Sequence, residues 1–166
     1  ALSLVGSEMC IRDSFNPVVS LVFLIKKEIA LLDILKYVFF QFLGALLSVA
    51  SVHYYFGQQI IQISTNSRGG TEMIFSEVIA TFGLIITILF VRKYNPKDVA
   101  SAVALFITAG YWFTSSTSFA NPAVTVARIF TDTFTGISPA SVFNFIIGQL
   151  IGSFVALIFY NKIEKN

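Results

Sequence analysis

Asn16-Pro17-Val18 and Asn121-Pro122-Ala123 are two versions of one tripeptide, and each stands at the head of a short apolar stretch. Asparagine is a favoured helix N-cap and proline is favoured at the first helical position, so each tripeptide predicts the start of a helix. Each apolar stretch is about nine residues long, or about 14 Å of helix, which reaches only halfway through a hydrocarbon core of about 30 Å. A helix that starts inside a membrane leaves free N–H groups and a positive dipole end there, which is tolerated only beside a polar cavity. Two such starts indicate a pore.

The composition indicates a membrane protein. The chain is 55% hydrophobic and 12% charged, with a mean hydropathy of +0.78, whereas soluble domains are about 25% charged. The net charge of +2 is small and dispersed, which argues against a nucleic-acid partner. The single cysteine, Cys10, excludes an internal disulfide. We therefore expect an all-α membrane protein whose partner is the lipid bilayer.

Residues 1–14 fit neither a signal peptide nor a membrane span, because the apolar run is short and is interrupted by Glu8, Arg12 and Asp13. We expect this segment to be a non-native or mis-assembled leader, and we assign the channel-like domain to residues 15–166. The predicted elements of that domain are a half-helix at 16–26, spans at about 34–56, 73–92 and 98–117, a second half-helix at 121–131, and a span at about 139–160.

The lysine and arginine residues predict the orientation of these spans. Eight of them would share one side of the membrane: Lys26, Lys27, Lys36, Arg92, Lys93, Lys97, Lys162 and Lys165. The opposite side would hold Arg68 and Arg128. By the positive-inside rule, the C-terminus should be cytoplasmic, and the two half-helices should enter from opposite faces.

An internal repeat accompanies the two tripeptides. Asn16 is followed 25 residues later by Gln41-Phe-Leu-Gly44, and Asn121 is followed 28 residues later by Gln149-Leu-Ile-Gly152. Opposite orientations of the two copies would make this an inverted repeat, a design typical of transport proteins. Two spans precede the tripeptide of the second copy and none precedes that of the first, so we expect two N-terminal spans to be missing. The glycines are expected to permit close helix packing.

These residues resemble the aquaporin and glycerol-channel (major intrinsic protein) family. The resemblance covers about residues 15–160 and includes Ser76-Glu77 and Thr81-Phe82 within one span. It implies an aquaporin-like right-handed helical bundle, here with four spans and two re-entrant half-helices of a six-span fold, usually as a homotetramer. Residues 117–128 are most similar to a bacterial subgroup associated with metalloid handling. This similarity implies that the protein lies in a plasma membrane, namely the bacterial inner membrane.

The resemblance also implies the function and its residues. The protein would be a passive channel for water and small neutral solutes such as glycerol or undissociated metalloid acids. Asn16 and Asn121 would donate hydrogen bonds to the solute, and the facing helix N-termini would repel cations and protons. Such a channel breaks no bond, so we expect no enzyme activity, catalytic residue, cofactor or metal.

Three positions of the selectivity filter differ from those of water-selective relatives. The residue three after the second asparagine, usually arginine in the family, is Val124. The constriction position twelve before that asparagine is Ala109, and Ser118 lies three before it. These residues predict a wider and less polar filter than that of a strict water channel.

Four further polar residues are assigned supporting or pore-mouth roles: Glu77, Arg128, Gln41 and Gln149. The resemblance implies that Glu77 accepts hydrogen bonds from the backbone of a re-entrant loop. Arg128, four residues beyond Val124, has two interpretations, a charge at the outer pore mouth or, as we favour, a side chain that snorkels or pairs with Asp132. His53, beside two tyrosines, is expected in the interfacial belt of aromatic residues.

Two other functions stay open. One is a different inverted-repeat channel or transporter, for an anion or ammonia, which should show a basic or histidine-lined path within its spans. The other is a non-conducting structural membrane protein with the same fold.

Overall fold

The computed structural model describes residues 15–165, so the expected leader at 1–14 lies outside the described residues. All regular secondary structure of the described residues is helical, without strands, which confirms the all-α fold class. Its α-helices are α1 (Pro17–Ile25), α2 (Leu31–Tyr55), α3 (Thr71–Tyr94), α4 (Val99–Phe113), α5 (Pro122–Ala127) and α6 (Val142–Glu164). Short 3₁₀ turns occupy Pro96–Asp98, Arg128–Phe130 and Pro139–Ser141.

Three of these helices are long and apolar enough to cross a membrane: α2, α3, and α6 together with the 3₁₀ turn before it. The sequence predicted a fourth span at 98–117, but α4 has only 15 residues and ends at Phe113. Thr114 is already extended, and Thr117 and Ser118 have φ of 61° and 48°. After Thr114, the backbone N–H groups of Ser116, Phe119 and Ala120 bond to side chains of α3 rather than to preceding carbonyl groups, which keeps this segment out of a helix.

The two short helices begin where the tripeptides predict. The side-chain oxygen of Asn16 accepts a hydrogen bond from the backbone N–H of Val18 (3.1 Å), and that of Asn121 accepts one from Ala123 (2.9 Å). Each asparagine is therefore an N-cap, with proline at the first helical position. The second short helix is only six residues of α-helix followed by a 3₁₀ turn, so it is less regular than the predicted half-helix at 121–131.

The closest helix packing joins α3 and α6. A Cβ atom at Gly148 would lie 2.6 Å from the carbonyl oxygen of Ile74, and one at Gly152 would lie 2.5 Å from that of Val78. Only glycine allows this approach of the two backbones. At Gly44 in α2, by contrast, a Cβ atom would meet no heavy atom of residues 15–165 within 4 Å. The expected close packing is therefore present at one repeat glycine and absent, among the described residues, at the other.

Replacing Gly152 with valine should lower the free energy of unfolding by about 3 kcal/mol, because a branched side chain at a backbone contact forces α3 and α6 apart. Equilibrium unfolding in mixed SDS micelles, followed by far-UV circular dichroism, measures this change. Gly44→Val is the matched control and should change the free energy by less than about 1 kcal/mol. Equal losses in the free energy of unfolding of both variants would show that the contact between α3 and α6 does not determine the stability.

Charged side chains gather at one end of the helices, called here the ion-pair end. Glu28, just after α1, bonds to Arg92 near the end of α3, and Lys26 lies 3.6 Å from the same carboxylate. Lys93 and Glu164, in the last turns of α3 and α6, are 2.6 Å apart. These pairs attach the C-terminal end of α1 to α3, and α3 to α6.

The opposite end, called here the loop end, is built from the segments at 58–70 and 131–138. Their backbones are joined by hydrogen bonds from Ser64 to Ile129 (2.8 Å) and from Ser138 to Asn66 (2.7 Å). Arg68 and Arg128 lie at this end. Three of the basic residues, Lys26, Arg92 and Lys93, thus lie at the ion-pair end, opposite Arg68 and Arg128.

Candidate functional site

The two tripeptides meet through a reciprocal pair of hydrogen bonds. The side-chain amide of Asn16 donates to the carbonyl oxygen of Ala120 (2.6 Å), and that of Asn121 donates to the carbonyl oxygen of Phe15 (3.1 Å). From this contact, α1 runs to the ion-pair end and α5 leads towards the loop end. A primary amide has two N–H bonds, so each asparagine keeps a second donor for another acceptor.

Equivalent contacts support the two short helices, as an inverted repeat requires. The amide of Gln41 donates to the hydroxyl of Ser20 (2.9 Å), and the amide of Gln149 donates to the hydroxyl of Thr125 (2.8 Å). Each hydroxyl lies four residues after its tripeptide asparagine, one turn along the helix. Each glutamine therefore supports a short helix through a hydrogen bond from a long helix, Gln41 from α2 and Gln149 from α6.

Glu77 organises the chain that leads into α5. Its side chain is fully buried in α3, and its two carboxyl oxygens accept four hydrogen bonds. One oxygen accepts from the hydroxyl of Ser116 (2.5 Å) and the backbone N–H of Phe119 (3.0 Å). The other accepts from the backbone N–H of Ala120 (2.8 Å) and the amide of Gln149 (2.7 Å). Glu77 thus holds Ser116 and the two residues before Asn121 in place.

A central cavity of about 380 Å³ lies where the short helices meet. Its polar wall includes Asn16, Asn121 and Ser118, and most of the remaining lining is apolar. Val124 also lines this cavity, one helical turn from Asn121. Such an apolar cavity with a few convergent polar groups is typical of sites for small ligands.

The prediction that Ala109 belongs to the selectivity filter is wrong. Ala109 is exposed and does not line the central cavity, whereas Ile107 and Tyr111 from the same helix do. A helix turns by about 100° per residue, so residues two apart point in nearly opposite directions while residues four apart share a face. The face of α4 that meets the cavity is therefore shifted by two residues from the predicted one.

Arg128 is also placed differently from the favoured prediction. Its guanidinium donates to the hydroxyl of Tyr111 (2.8 Å) and lies 4.1 Å from the ring centre of Phe119. The carboxylate of Asp132 accepts instead from the backbone N–H (2.8 Å) and hydroxyl (3.0 Å) of Thr65. Arg128 lines the central cavity rather than forming the expected ion pair.

A second cavity of about 400 Å³ lies at the loop end, beside the end of α2. Thr131, Thr133 and Arg128 are among its lining residues. His53 lines it as well, although only 3% of the residue is exposed. Its ring nitrogens contact the carbonyl oxygen of Ile60 and the hydroxyl of Thr131, each at 2.9 Å. His53 is therefore a buried tie between α2 and the loops, and its expected place in the interfacial belt is wrong.

Arg68 ties the loop end together. Its guanidinium donates to the carbonyl oxygens of Gly136 (2.9 Å), Phe134 (2.7 Å) and Ser116 (3.4 Å). Burial lowers the pKa of Arg68, and the nearby charge of Arg128 lowers it further, while Glu77 opposes the shift. The two guanidinium groups are therefore close enough to interact.

Sequence reasoning missed several residues of this site. Ser20 and Thr125 carry a detectable signal, since both are hydroxyl residues four positions after a tripeptide asparagine. Ser116 carries none, because its role depends on a partner 39 residues away in the sequence.

Comparisons of the sequence with known proteins show the family of the chain. Residues 13–108 match the sequence profile of the major intrinsic protein family. Over 143 residues, or 86% of its length, the chain is 44% identical to the aquaglyceroporin AqpS of Rhizobium meliloti (strain 1021). The chain spans 61% of the length of that relative. The chain belongs to the major intrinsic protein family, a family of multi-pass membrane channels rather than enzymes.

Proposed function

We propose that the protein forms a passive channel for water and small uncharged solutes, such as glycerol or undissociated metalloid acids. The observation that carries this proposal is the reciprocal pair of hydrogen bonds between Asn16 and Asn121 and the opposite tripeptides, at the wall of the central cavity. Each asparagine keeps one N–H donor, which can bind the oxygen of a passing solute. The relative AqpS is named an aquaglyceroporin, which supports the same class of solute.

The filter of this channel is assigned to Ser118 and Val124. Both line the central cavity, and the aliphatic side chain of Val124 adds neither charge nor hydrogen-bonding groups. The opposite wall is apolar and includes Leu84, Ile88 and Val103. A solute with a hydrocarbon side and hydroxyl groups matches such a cavity better than an ion does, because an ion would lose its hydration without compensation.

The proposal also covers the orientation of the protein in the membrane, its location and its oligomeric state. The ion-pair end carries Lys26, Arg92 and Lys93, so the positive-inside rule assigns it to the cytoplasm, together with the C-terminus. A bacterial relative supports the inner membrane as the location. The homotetramer implied by the family is part of the proposal and is tested by the mass of the protein in detergent.

Stopped-flow light scattering of proteoliposomes tests the function. Vesicles with the protein should exchange water at least about tenfold faster than empty vesicles and should re-swell in glycerol. Potassium and proton leakage should equal that of empty vesicles, since a neutral pore excludes charge. Exchange no faster than in empty vesicles would contradict the proposal and favour a structural role, whereas selective ammonia or anion flux would favour another transporter.

A further inference from the structure

The guanidinium of Arg128 is held from two directions. Its Nη2 atom donates to the hydroxyl of Tyr111 at 2.8 Å, and the group lies against the face of Phe119 at 4.1 Å. Tyr111 belongs to α4, and Phe119 to the segment that Glu77 fixes. An arginine that only snorkels to the membrane surface has no need of two such attachments. The position of this charge is therefore set by the fold.

One donor of this guanidinium is left for a ligand. The Nη1 atom is buried and has no hydrogen-bond partner among residues 15–165, and the same is true of the hydroxyl of Ser118. Both residues line the central cavity. Because a buried donor without an acceptor costs free energy, an oxygen atom placed beside either group would be stabilised there. A water molecule or a solute hydroxyl can supply that oxygen.

Arg128 also stands between the two cavities. It is a lining residue of the central cavity and of the second cavity at the loop end. It is the lining residue that the two cavities share. Val124 lies four residues earlier, roughly 6 Å along the helix, and faces only the central cavity.

The positive charge at this place is not neutralised by a carboxylate at the expected i+4 position. Asp132 bonds to Thr65, and Arg68, whose guanidinium lies 5.3 Å from the ring centre of Phe119, bonds to backbone carbonyl groups. Two guanidinium groups thus contact one aromatic ring. The resulting field opposes the entry of cations and favours the oxygen atoms of neutral solutes.

We propose that Arg128, clamped by Tyr111 and Phe119, is the specificity-determining cation of the channel, placed one helical turn beyond the position that Val124 occupies. This inference rests on the proposed channel function. The solute class is small uncharged molecules with several hydroxyl groups, whose oxygens bind Nη1 and Ser118. Tyr111 is a positioning residue, because it acts on the solute through Arg128.

Proteoliposome swelling in glycerol, erythritol and boric acid tests this proposal. In Arg128→Ala, the erythritol-to-glycerol permeability ratio should rise at least about threefold, because the charged group no longer narrows the passage. Tyr111→Phe should raise the same ratio about twofold, with water permeability unchanged, and Arg128→Lys should give an intermediate value. Boric acid, which has hydroxyl groups but no carbon chain, shows whether hydroxyl groups alone are sufficient for a solute to pass Arg128. Lys97→Ala, which removes an exposed cation at the opposite end, is the matched control and should leave the ratio unchanged.

A binding measurement separates this inference from the proposed function. Saturation-transfer NMR of glycerol with the protein in detergent should give a signal that Arg128→Ala reduces at least about threefold. If vesicles with the wild-type protein do not swell but this difference is present, the channel function fails and the Arg128 site stands. If the wild-type protein conducts while Arg128→Ala and Tyr111→Phe match it in solute ratio and NMR signal, the inference is overturned. Should Arg128→Ala not fold, Tyr111→Phe alone decides.

Discussion

Replacing Glu77 with alanine should lower the free energy of unfolding by at least about 3 kcal/mol, the largest stability loss that we expect for a single side chain here. The change leaves four buried donors without an acceptor: the hydroxyl of Ser116, the backbone N–H groups of Phe119 and Ala120, and the amide of Gln149. Each such loss costs about 1–3 kcal/mol, and partial relaxation of the loop recovers some of the sum. Equilibrium unfolding in mixed SDS micelles measures it.

Two further variants make this prediction specific. Glu77→Gln has nearly the same size, but in either orientation its NH₂ group faces a backbone N–H, that of Phe119 or that of Ala120. It should therefore be intermediate in stability. Glu72→Ala, an exposed position in the first turn of the same helix, should change the free energy by less than about 0.5 kcal/mol. A Glu77→Ala protein as stable as Glu72→Ala would refute the bonding role of this carboxyl group.

Replacing Val124 with arginine should reduce glycerol permeability at least about tenfold, which corresponds to a barrier about 1.4 kcal/mol higher. The new side chain would fill part of the cavity of about 380 Å³ and place a second cation one helical turn from Arg128. The permeability for water, which is the smaller molecule, should fall less than the permeability for glycerol. Stopped-flow swelling of proteoliposomes in glycerol, compared with shrinkage in sucrose, measures both rates.

Val124→Leu separates size from charge. Leucine adds one methylene without a charge or a donor, so it should lower glycerol permeability only about two- to threefold. Comparable rates for the leucine and arginine variants would show that charge at this position has no role. An arginine variant with wild-type glycerol permeability would show that Val124 does not lie on the solute path.

Local rules account for the parts of this fold that the sequence predicted. Asn16 and Asn121 cap their helices through contacts only two residues away, and such contacts are readable from short motifs. The length and apolar composition of α2 and α3 indicate membrane spans without knowledge of any partner. The family resemblance, now shown by the sequence profile, came from the same motifs.

Local rules failed where distant residues decide the structure. The predicted continuation of α4 to 117 is wrong, because the backbone N–H of Ser116 bonds to the hydroxyl of Ser76, 40 residues earlier, and not to a carbonyl group of α4. Ala109 and Tyr111 lie on nearly opposite faces of α4, and only Tyr111 lines the cavity. Which face meets the cavity depends on packing against α3, and α4 shows no distinct polar stripe that would reveal it.

The sequence by itself determined a membrane chain of helices with two capped half-helices and a repeat, because capping, helix length and hydropathy depend on neighbouring residues. Only the tertiary structure decided that Gln41 bonds to Ser20 and Gln149 to Thr125, that Tyr111 lines the cavity, and that Arg128 bonds to Tyr111 rather than to Asp132. The physical reason is that these hydrogen bonds join groups 17 to 24 residues apart in the sequence, on different elements, and helix rotation selects which donors and acceptors meet.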